Sequence, residues 1–388
     1  MPAIPRRHGC ECPARNRVTQ MSSQVLMIAS GGGFNGAIKY AYELVVDFRR
    51  QGVEVLPVCI PDGWLSHQFD AAGVEYVPSP MARFPLTELK RIAAIARERR
   101  ISIVHTHNSR AHSFGVLLKL LHGLPVVATA HQRHIQLHWC LNDYVIANSD
   151  VTLWSMRRFN FVSKSRIRRI YCPIRDRFFN GAPPAEVSAT RAAWGFAPTD
   201  RVLGCVGNVS PRKSQLNLIR ALPSVLREFP NVRLVMVGDD HGEYAKTCRQ
   251  AVEELQLQGA VRWLGHQDDI PLVMRCLDVC VCTPTEEAFG LTAAEALASG
   301  VPVVASRVGG LREVVIDEET GLLVPPSDPR ALSTAITRLL NDGALRERLA
   351  REGRQRVRRL FSAADHAAQL LDVYQTVVSG KRQASQGR

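Results

Sequence analysis

The chain alternates twice between short apolar runs and amphipathic stretches, and that alternation leaves few folds open. Residues 24–30 read as a strand running into the glycine loop Gly31-Gly32-Gly33-Phe34-Asn35-Gly36. From about Ala37 to Gln51, Ile38, Ala41, Leu44, Val45 and Phe48 recur at helical spacing. A strand-like segment over 53–60 follows. The spacing then predicts a helix over 86–100, a strand over 101–105, a helix near 110–122, and strands over 126–130 and 144–147. A second series starts at Val202, with strands near 202–206, 232–237, 261–264, 278–282 and 302–305. Strand–helix alternation predicts a parallel, doubly wound sheet. With 388 residues the chain is too long for one such unit, so two are expected. Residues 177–200 are rich in Pro, Gly, Ala and Asn and read as a linker, and residues 344–379 read as helical.

One block in the second series carries chemistry. Glu287-Ala288-Phe289-Gly290-Leu291-Thr292-Ala293-Ala294-Glu295 lies between an apolar strand over 277–283 and a helix that stops at Gly300. The first N–H groups of such a helix lack internal partners, and the dipole there favours an anion. Glu287 precedes the helix and Glu295 sits inside it, so both carboxylates can reach one crevice. Beside a phosphate they would be repelled unless they faced something uncharged, and hydroxyl groups are the natural targets. A ligand with a phosphate and two sets of hydroxyls is a nucleotide sugar.

Residues 284–325 resemble the signature of the retaining glycosyltransferases of the GT-B fold, family 4 (group 1). The matching pieces are the two glutamates, Ala298-Ser299-Gly300-Val301-Pro302-Val303-Val304-Ala305-Ser306, Gly309-Gly310-Leu311-Arg312-Glu313-Val314-Val315, and Gly321-Leu322-Leu323-Val324-Pro325-Pro326. The resemblance covers about residues 24–378. It implies two facing Rossmann-like domains with a C-terminal crossover helix. The acceptor-side domain would span 21–180 plus a helix over about 362–380. A linker over 181–200 would lead to a nucleotide-sugar domain over 201–361. Residues 1–20 would be a disordered extension and 381–388 a tail.

By the same resemblance, Glu295 would hold the ribose hydroxyls and Glu287 the hydroxyls of the transferred sugar. The backbone around Gly290, Leu291 and Thr292 would face the phosphates, with Phe289 in the same turn. Val206-Gly207-Asn208-Val209-Ser210-Pro211-Arg212-Lys213-Ser214 is similar to the family's phosphate-binding segment, in which an arginine after the glycine precedes a lysine by five residues. Lys213 matches the lysine. Asn208 stands in place of the arginine, and Arg212 is the candidate substitute. Gly36 matches a glycine whose missing side chain lets the donor phosphate approach. His131 matches a histidine near the donor sugar, and His266 lies where the backbone meets the base. Catalysis would thus rest on His131, Lys213 and Glu287.

The remaining features bound the chemistry. Seven of the twelve histidines fall at 105, 107, 112, 122, 131, 134 and 138, but no Asp or Glu lies between 99 and 142. Carboxylate ligands for a metal would therefore have to come from elsewhere, and D-x-D is absent, so neither metal nor cofactor is expected. His105 and His107 are expected to shape the cleft rather than react. No apolar run is long enough to span a bilayer. Residues 1–20 carry four arginines and no apolar h-region. The ten dispersed cysteines, with no C-x2-C pair, suit a reducing cytoplasm. The net charge of +13 is concentrated in 88–100, 157–169 and 346–359. Basic amphipathic segments suit an anionic membrane surface. They would bring the enzyme to the inner face of the cell membrane and to a glycan or lipid-linked acceptor in envelope or lipopolysaccharide synthesis. Two rivals remain: a nucleotide-sugar epimerase on the same fold, and a basic nucleic-acid-binding protein. Nucleic acid is not an expected partner, since no binding motif is present and aromatics are only 6%.

Overall fold

The computed structural model describes residues 24–81 and 86–386. The extension expected over 1–20 and the last two residues of the tail lie outside the described residues. The first half runs β1 (Gln24–Ala29), α1 (Gly36–Arg50), β2 (Val55–Cys59), α2 (Trp64–Ala71), β3 (Val77–Pro78), α3 (Leu86–Glu98), β4 (Ile101–His107) and α4 (Ser109–His122). It continues through β5 (Val126–Ala130), a 3-10 turn over Leu137–Leu141, β6 (Tyr144–Ala147), α5 (Asp150–Phe159) and β7 (Ile167–Arg169). Two helices, α6 (Asp176–Phe179) and α7 (Pro184–Ala193), lead onward. The second half holds β8 (Arg201–Val206), α8 (Gln215–Glu228), β9 (Val232–Val237), α9 (Glu243–Glu254), β10 (Val261–Gly265) and α10 (Ile270–Arg275). Then come β11 (Val279–Cys282), α11 (Leu291–Ala298), β12 (Val303–Ser306), α12 (Leu311–Val314) and β13 (Leu322–Val324). The chain closes with α13 (Pro329–Asn341), α14 (Gly343–Leu360) and α15 (Ala363–Gln386).

Both sheets are parallel. Their orders are β3-β2-β1-β4-β5-β6-β7 and β10-β9-β8-β11-β12-β13. Each order reverses beside its first strand, between β1 and β4 and between β8 and β11. An open doubly wound sheet has its crevice at that point, outside the carboxyl ends of the strands. The doubly wound expectation therefore holds for both halves, and each half brings one crevice.

Three strands escaped the sequence reading. β3, β7 and β13 are two or three residues long, too short to show a period. The stretch read as linker also contains α7. Its proline sits in the first turn, where a missing N–H costs nothing, and alanines follow. A Pro/Ala-rich composition can thus start a helix as readily as it can mark a loop.

The crossover helix is present. After α14 the chain passes Phe361, whose carbonyl accepts a 2.8 Å bond from Ile174 N, and α15 then packs on α1 and β4. Ala367, Leu370, Val373 and Tyr374 are buried there. Tyr374 is the largest fully buried side chain, and its hydroxyl lies 2.6 Å from His105 Nδ1. His366 Nε2 lies 2.8 Å from the Tyr40 hydroxyl. The last helix is therefore bonded, as well as packed, to the first sheet.

This bond yields a stability prediction. Tyr374→Phe leaves His105 Nδ1 without a partner in a dry site and should cost about 1–3 kcal/mol. Tyr374→Ala adds a cavity and should cost on the order of 3–5 kcal/mol. Urea midpoints measure both. A phenylalanine variant as stable as the parent would show that the hydroxyl contributes nothing.

Candidate functional site

The loop 283–290 joins β11 to α11 at the second switch point. Gly290 holds φ 107°, a conformation open to glycine, and a Cβ there would come within 2.6 Å of Leu311 Cδ2. The loop has little room to move. A Cβ on Gly309 would strike the Glu287 carbonyl oxygen, and one on Gly310 the Ala288 carbonyl oxygen. Gly310 N also donates to Glu287 O at 3.0 Å. On the opposite side Thr285 N donates to Arg212 O at 2.9 Å, and the Thr283 hydroxyl lies 3.0 Å from the carbonyls of Lys213 and Ser214. The paired glycines thus let two backbones touch, and that contact fixes where Glu287 stands relative to Lys213.

The charges pair across this junction. Glu287 Oε2 accepts from Lys213 Nζ at 2.7 Å and lies 3.4 Å from Arg212 Nη1. Burial alone would raise the Glu287 carboxyl, but the two cations and the Ala288 N–H outweigh it and hold it below its ordinary range. Glu295, buried in α11, accepts from Lys39 Nζ of α1 at 2.8 Å. Helix α1 is capped by Asn35, whose Oδ1 accepts from Ala37 N and Ile38 N at 3.0 and 3.1 Å. A Cβ on Gly36 would sit 4.0 Å from Leu291 Cδ2, so the N-termini of α1 and α11 lie close together at the cleft. Three cations meet two carboxylates here, and two helix ends add about half a positive charge each. The junction suits an anion with hydroxyl groups on either side.

Gly36, Arg212, Lys213, Glu287, Gly290, Leu291, Thr292 and Glu295 are brought together. Asn208 joins them differently: its side-chain N–H reaches Phe34 O across the cleft at 3.4 Å, and it carries no charge. His266, after β10, is half exposed and lies edge-on to Phe34, ring centroids 5.0 Å apart. Phe289 is placed differently from its neighbours in the turn. Its ring is buried between Tyr171 and Phe361 at 5.8 and 5.2 Å, because the turn at Gly290 points it into the core. Only its backbone can serve a ligand.

Two groups were missed by the sequence reading. Lys39 had a faint signal, a cation one turn into a helix where the dipole disfavours it. Glu313 had none. Its carboxylate accepts from Asp150 N at 2.9 Å and Val151 N at 3.2 Å, capping α5 of the other half, and from the Tyr171 hydroxyl at 3.1 Å.

A second cavity, about 450 Å³, opens at the ends of β1, β4 and β5. Asn35, Asn108, Arg110, Gln136 and Trp139 line it together with His131. No carboxylate lines it. Among the described residues no three of His, Cys, Asp and Glu gather as metal ligands.

Comparison with known proteins places the chain. The model for glycosyl transferases group 1 matches residues 187–356, and that for glycosyltransferase family 4 matches residues 34–178. A D-inositol 3-phosphate glycosyltransferase of Nocardioides is 34% identical over 257 residues, 62% of this chain and 55% of the relative. A phosphatidyl-myo-inositol mannosyltransferase of Mycobacterium leprae is 38% identical over 205 residues, 52% of this chain and 53% of the relative. The chain thus spans about half the length of each of these relatives. The Anabaena protein HepE, solved with UDP-glucose, superposes with a TM-score of 0.83 over 91% of this chain and 99% of its own, at 22% identity. That likeness is one of fold, the GT-B arrangement of two facing α/β domains.

The histidines under the cleft have a measurable signature. His107 Nδ1 lies 3.2 Å from His131 Nε2, and His105 is held between Tyr374 and Thr129. Burial pushes His131 down to about 4. Burial, then neighbouring histidines, pushes His105 down to about 3, and burial, then Arg175, does the same for His366. In the unfolded chain these groups titrate near 6.5. Below that pH the unfolded state binds more protons, so stability is full above about pH 6.5 and is lost as pH falls toward 4. The melting temperature should be flat from about pH 7 to 8 and fall steadily between about 6.5 and 4.5. A melting temperature unchanged down to pH 5 would contradict neutral burial of this cluster.

Proposed function

The chain belongs to the glycosyltransferases of family 4, group 1, and from that premise we propose that it moves a sugar from a nucleotide diphosphate sugar to a hydroxyl group of a second substrate, with retention at the anomeric carbon. The observation that carries this reading is the convergence of two helix N-termini, Arg212 and Lys213 beside two carboxylates. The diphosphate lies against the amides at Gly290, Leu291 and Thr292, with Gly36 opposite. Glu295 takes the ribose hydroxyls. A carboxylate accepts several hydrogen bonds, so Lys39 can share it. Glu287 takes hydroxyls of the transferred sugar.

In the reaction the bond from the anomeric carbon to the diphosphate breaks and a bond to the acceptor oxygen forms on the same face. The acceptor's proton passes to the departing diphosphate. Charge grows on that group in the transition state, where Lys213, Arg212 and the helix ends are aimed. Arg212 takes the part that a cation at Asn208 would play. His131, held neutral by burial, serves the sugar through a hydrogen bond rather than as an acid. The protein's own cations supply what a divalent metal would, so none is required.

The acceptor occupies the 450 Å³ cavity beside His131. An acceptor cavity favours a transferase over an epimerase, which would need none. Arg110 without any carboxylate suits an acceptor that bears an anionic group. The two relatives, an inositol phosphate glycosyltransferase and a phosphatidylinositol mannosyltransferase, point to a phosphorylated polyol, free or lipid-borne. Among the described residues no helix is long and apolar enough to cross a membrane. A cytoplasmic enzyme meeting the membrane peripherally, in synthesis of an envelope glycolipid or lipopolysaccharide, is the setting we favour.

Labelled nucleotide diphosphate sugars offered with polyol phosphate acceptors test this directly. Transfer should appear, with the anomer retained, and should persist in chelator. Lys213→Ala should lower turnover by about 10²–10³-fold with a smaller change in donor affinity, because it serves charge that develops late. An epimerised donor without transfer, or activity that chelator abolishes and a divalent metal restores, would overturn the reading.

A further inference from the structure

Eight of the eleven large apolar side chains exposed among the described residues lie between 120 and 161. They come together in space. The 3-10 turn Leu137–Leu141 runs along α4, where Lys119 Nζ donates to Leu141 O at 2.7 Å. Gln136 N donates to Asn160 Oδ1 at 2.7 Å, which brings the end of α5 against the start of that turn. Trp139 is buried beneath, while Leu137 is 78% and Ile135 67% exposed. Leu120 and Leu121 extend the face along α4. Trp154, 56% exposed, meets Phe159 edge-on at 5.2 Å. Phe161 is 70% exposed at φ 54°, a conformation uncommon for a bulky residue, so the backbone is strained where it turns an aromatic ring outward.

A patch of this kind on a soluble domain marks an interaction surface. Its charge identifies the partner. From 110 to 166 there are seven Lys or Arg residues against Asp143 and Asp150. Both acids are already paired, Asp143 with Lys119 and Asp150 with Arg169. Arg157, Arg158, Lys164 and Arg166 are exposed at the rim, and no ion pair forms to them among the described residues. Apolar and aromatic side chains ringed by free cations match an anionic lipid interface. The expected membrane segment, 88–100, fits less well. On α3 the apolar residues are buried, and Arg91 and Arg99 are taken up by Glu88 and Glu75.

On the premise that the acceptor is lipid-borne, we infer that the face formed by the 3-10 turn, the end of α4 and the end of α5 docks the enzyme on an anionic phospholipid bilayer. Position supports it. Gln136 and Trp139 line the acceptor cavity, while their neighbours Ile135 and Leu137 point outward. A headgroup can then enter the cavity as its acyl chains stay in the bilayer.

Co-sedimentation tests it with vesicles of phosphatidylcholine, alone and mixed with phosphatidylglycerol. The full chain should bind the mixed vesicles and leave the neutral ones, and binding should fall with salt. Leu137→Ser with Phe161→Asn, and separately Arg157→Glu with Arg158→Glu, should each weaken binding by about tenfold or more. Neither pair should change melting temperature or affinity for the nucleotide diphosphate. Asparagine tolerates positive φ, so the first pair is not expected to unfold the turn. Binding that survives both pairs, or that is lost only on Lys90→Glu with Arg97→Glu, would overturn the inference. So would a dimer that the Leu137→Ser, Phe161→Asn pair dissociates in ultracentrifugation, since the face would then belong to a second copy. A protein that transfers sugar but binds no anionic vesicle at low salt would overturn docking alone, whereas one that binds vesicles yet transfers no sugar would overturn the catalytic reading.

Discussion

Two helices from different halves of the chain begin at one cleft, with Gly36 and Leu291, their first residues, in near contact. Like ends facing across a short gap repel unless negative charge sits between them. Glu295 meets part of that need, through Lys39, and Glu287 is taken up by Lys213 and Arg212. The residual field is positive and concentrated in a few ångströms. The rest of the molecule holds this arrangement in place. The two switch points put both helix starts at the crevices, Gly309 and Gly310 let the Glu287 loop pack tightly, and α15 ties the last segment to the first sheet.

The ion pairs at the cleft are better regarded as poise than as stability. A buried pair recovers its desolvation cost only where geometry is good, and removing one partner is what destabilises. Glu287 is the informative member. Its carboxyl stays ionised although burial disfavours the charge, because Lys213 is 2.7 Å away. The same lysine is thereby held in place, partly buried against Glu287. An incoming anion therefore meets a cation whose side-chain freedom has already been spent. Preorganisation of this kind separates binding charge from stabilising charge as it develops.

The sequence was most legible where function is local. The strand, turn and helix around Glu287 are contiguous, and their periods change within a few residues, so the crevice could be read from them. Gly309 and Gly310 could be recognised by pattern, but the reason for them, a backbone that Cβ atoms would strike, is visible only in three dimensions. Contacts between distant residues were not legible at all. Lys39 and Glu295 are 256 positions apart, and Glu313 caps a helix 163 positions earlier. The helix within the linker stretch went unread for another cause: Pro and Ala mark both loops and helix starts. Phe289 shares the turn with the donor-site residues, and that its ring lies in the core next to Gly290 at positive φ was not legible either.

The histidines show why residue type alone is a poor guide to chemistry. Crowded in sequence, they suggest ligands. In the fold they are spread over β4, α4 and the end of β5, and α15 brings His366 and Tyr374 to meet them. Three are linked to hydroxyl groups of Thr or Tyr, which satisfy a neutral ring without any charge. Burial and mutual repulsion both disfavour protonation, so the cluster behaves as polar packing under the cleft. His131 stands at its edge, with His107 behind it and Tyr40 at its side, and with His112 it lines the 450 Å³ cavity. A neutral imidazole in that position keeps a fixed hydrogen-bonding direction across the physiological pH range. In the transfer proposed above, a protonated one would add a charge beside an anomeric carbon on which positive charge develops. Burial of the cluster thus removes an electrostatic obstacle to the reaction proposed for the cleft.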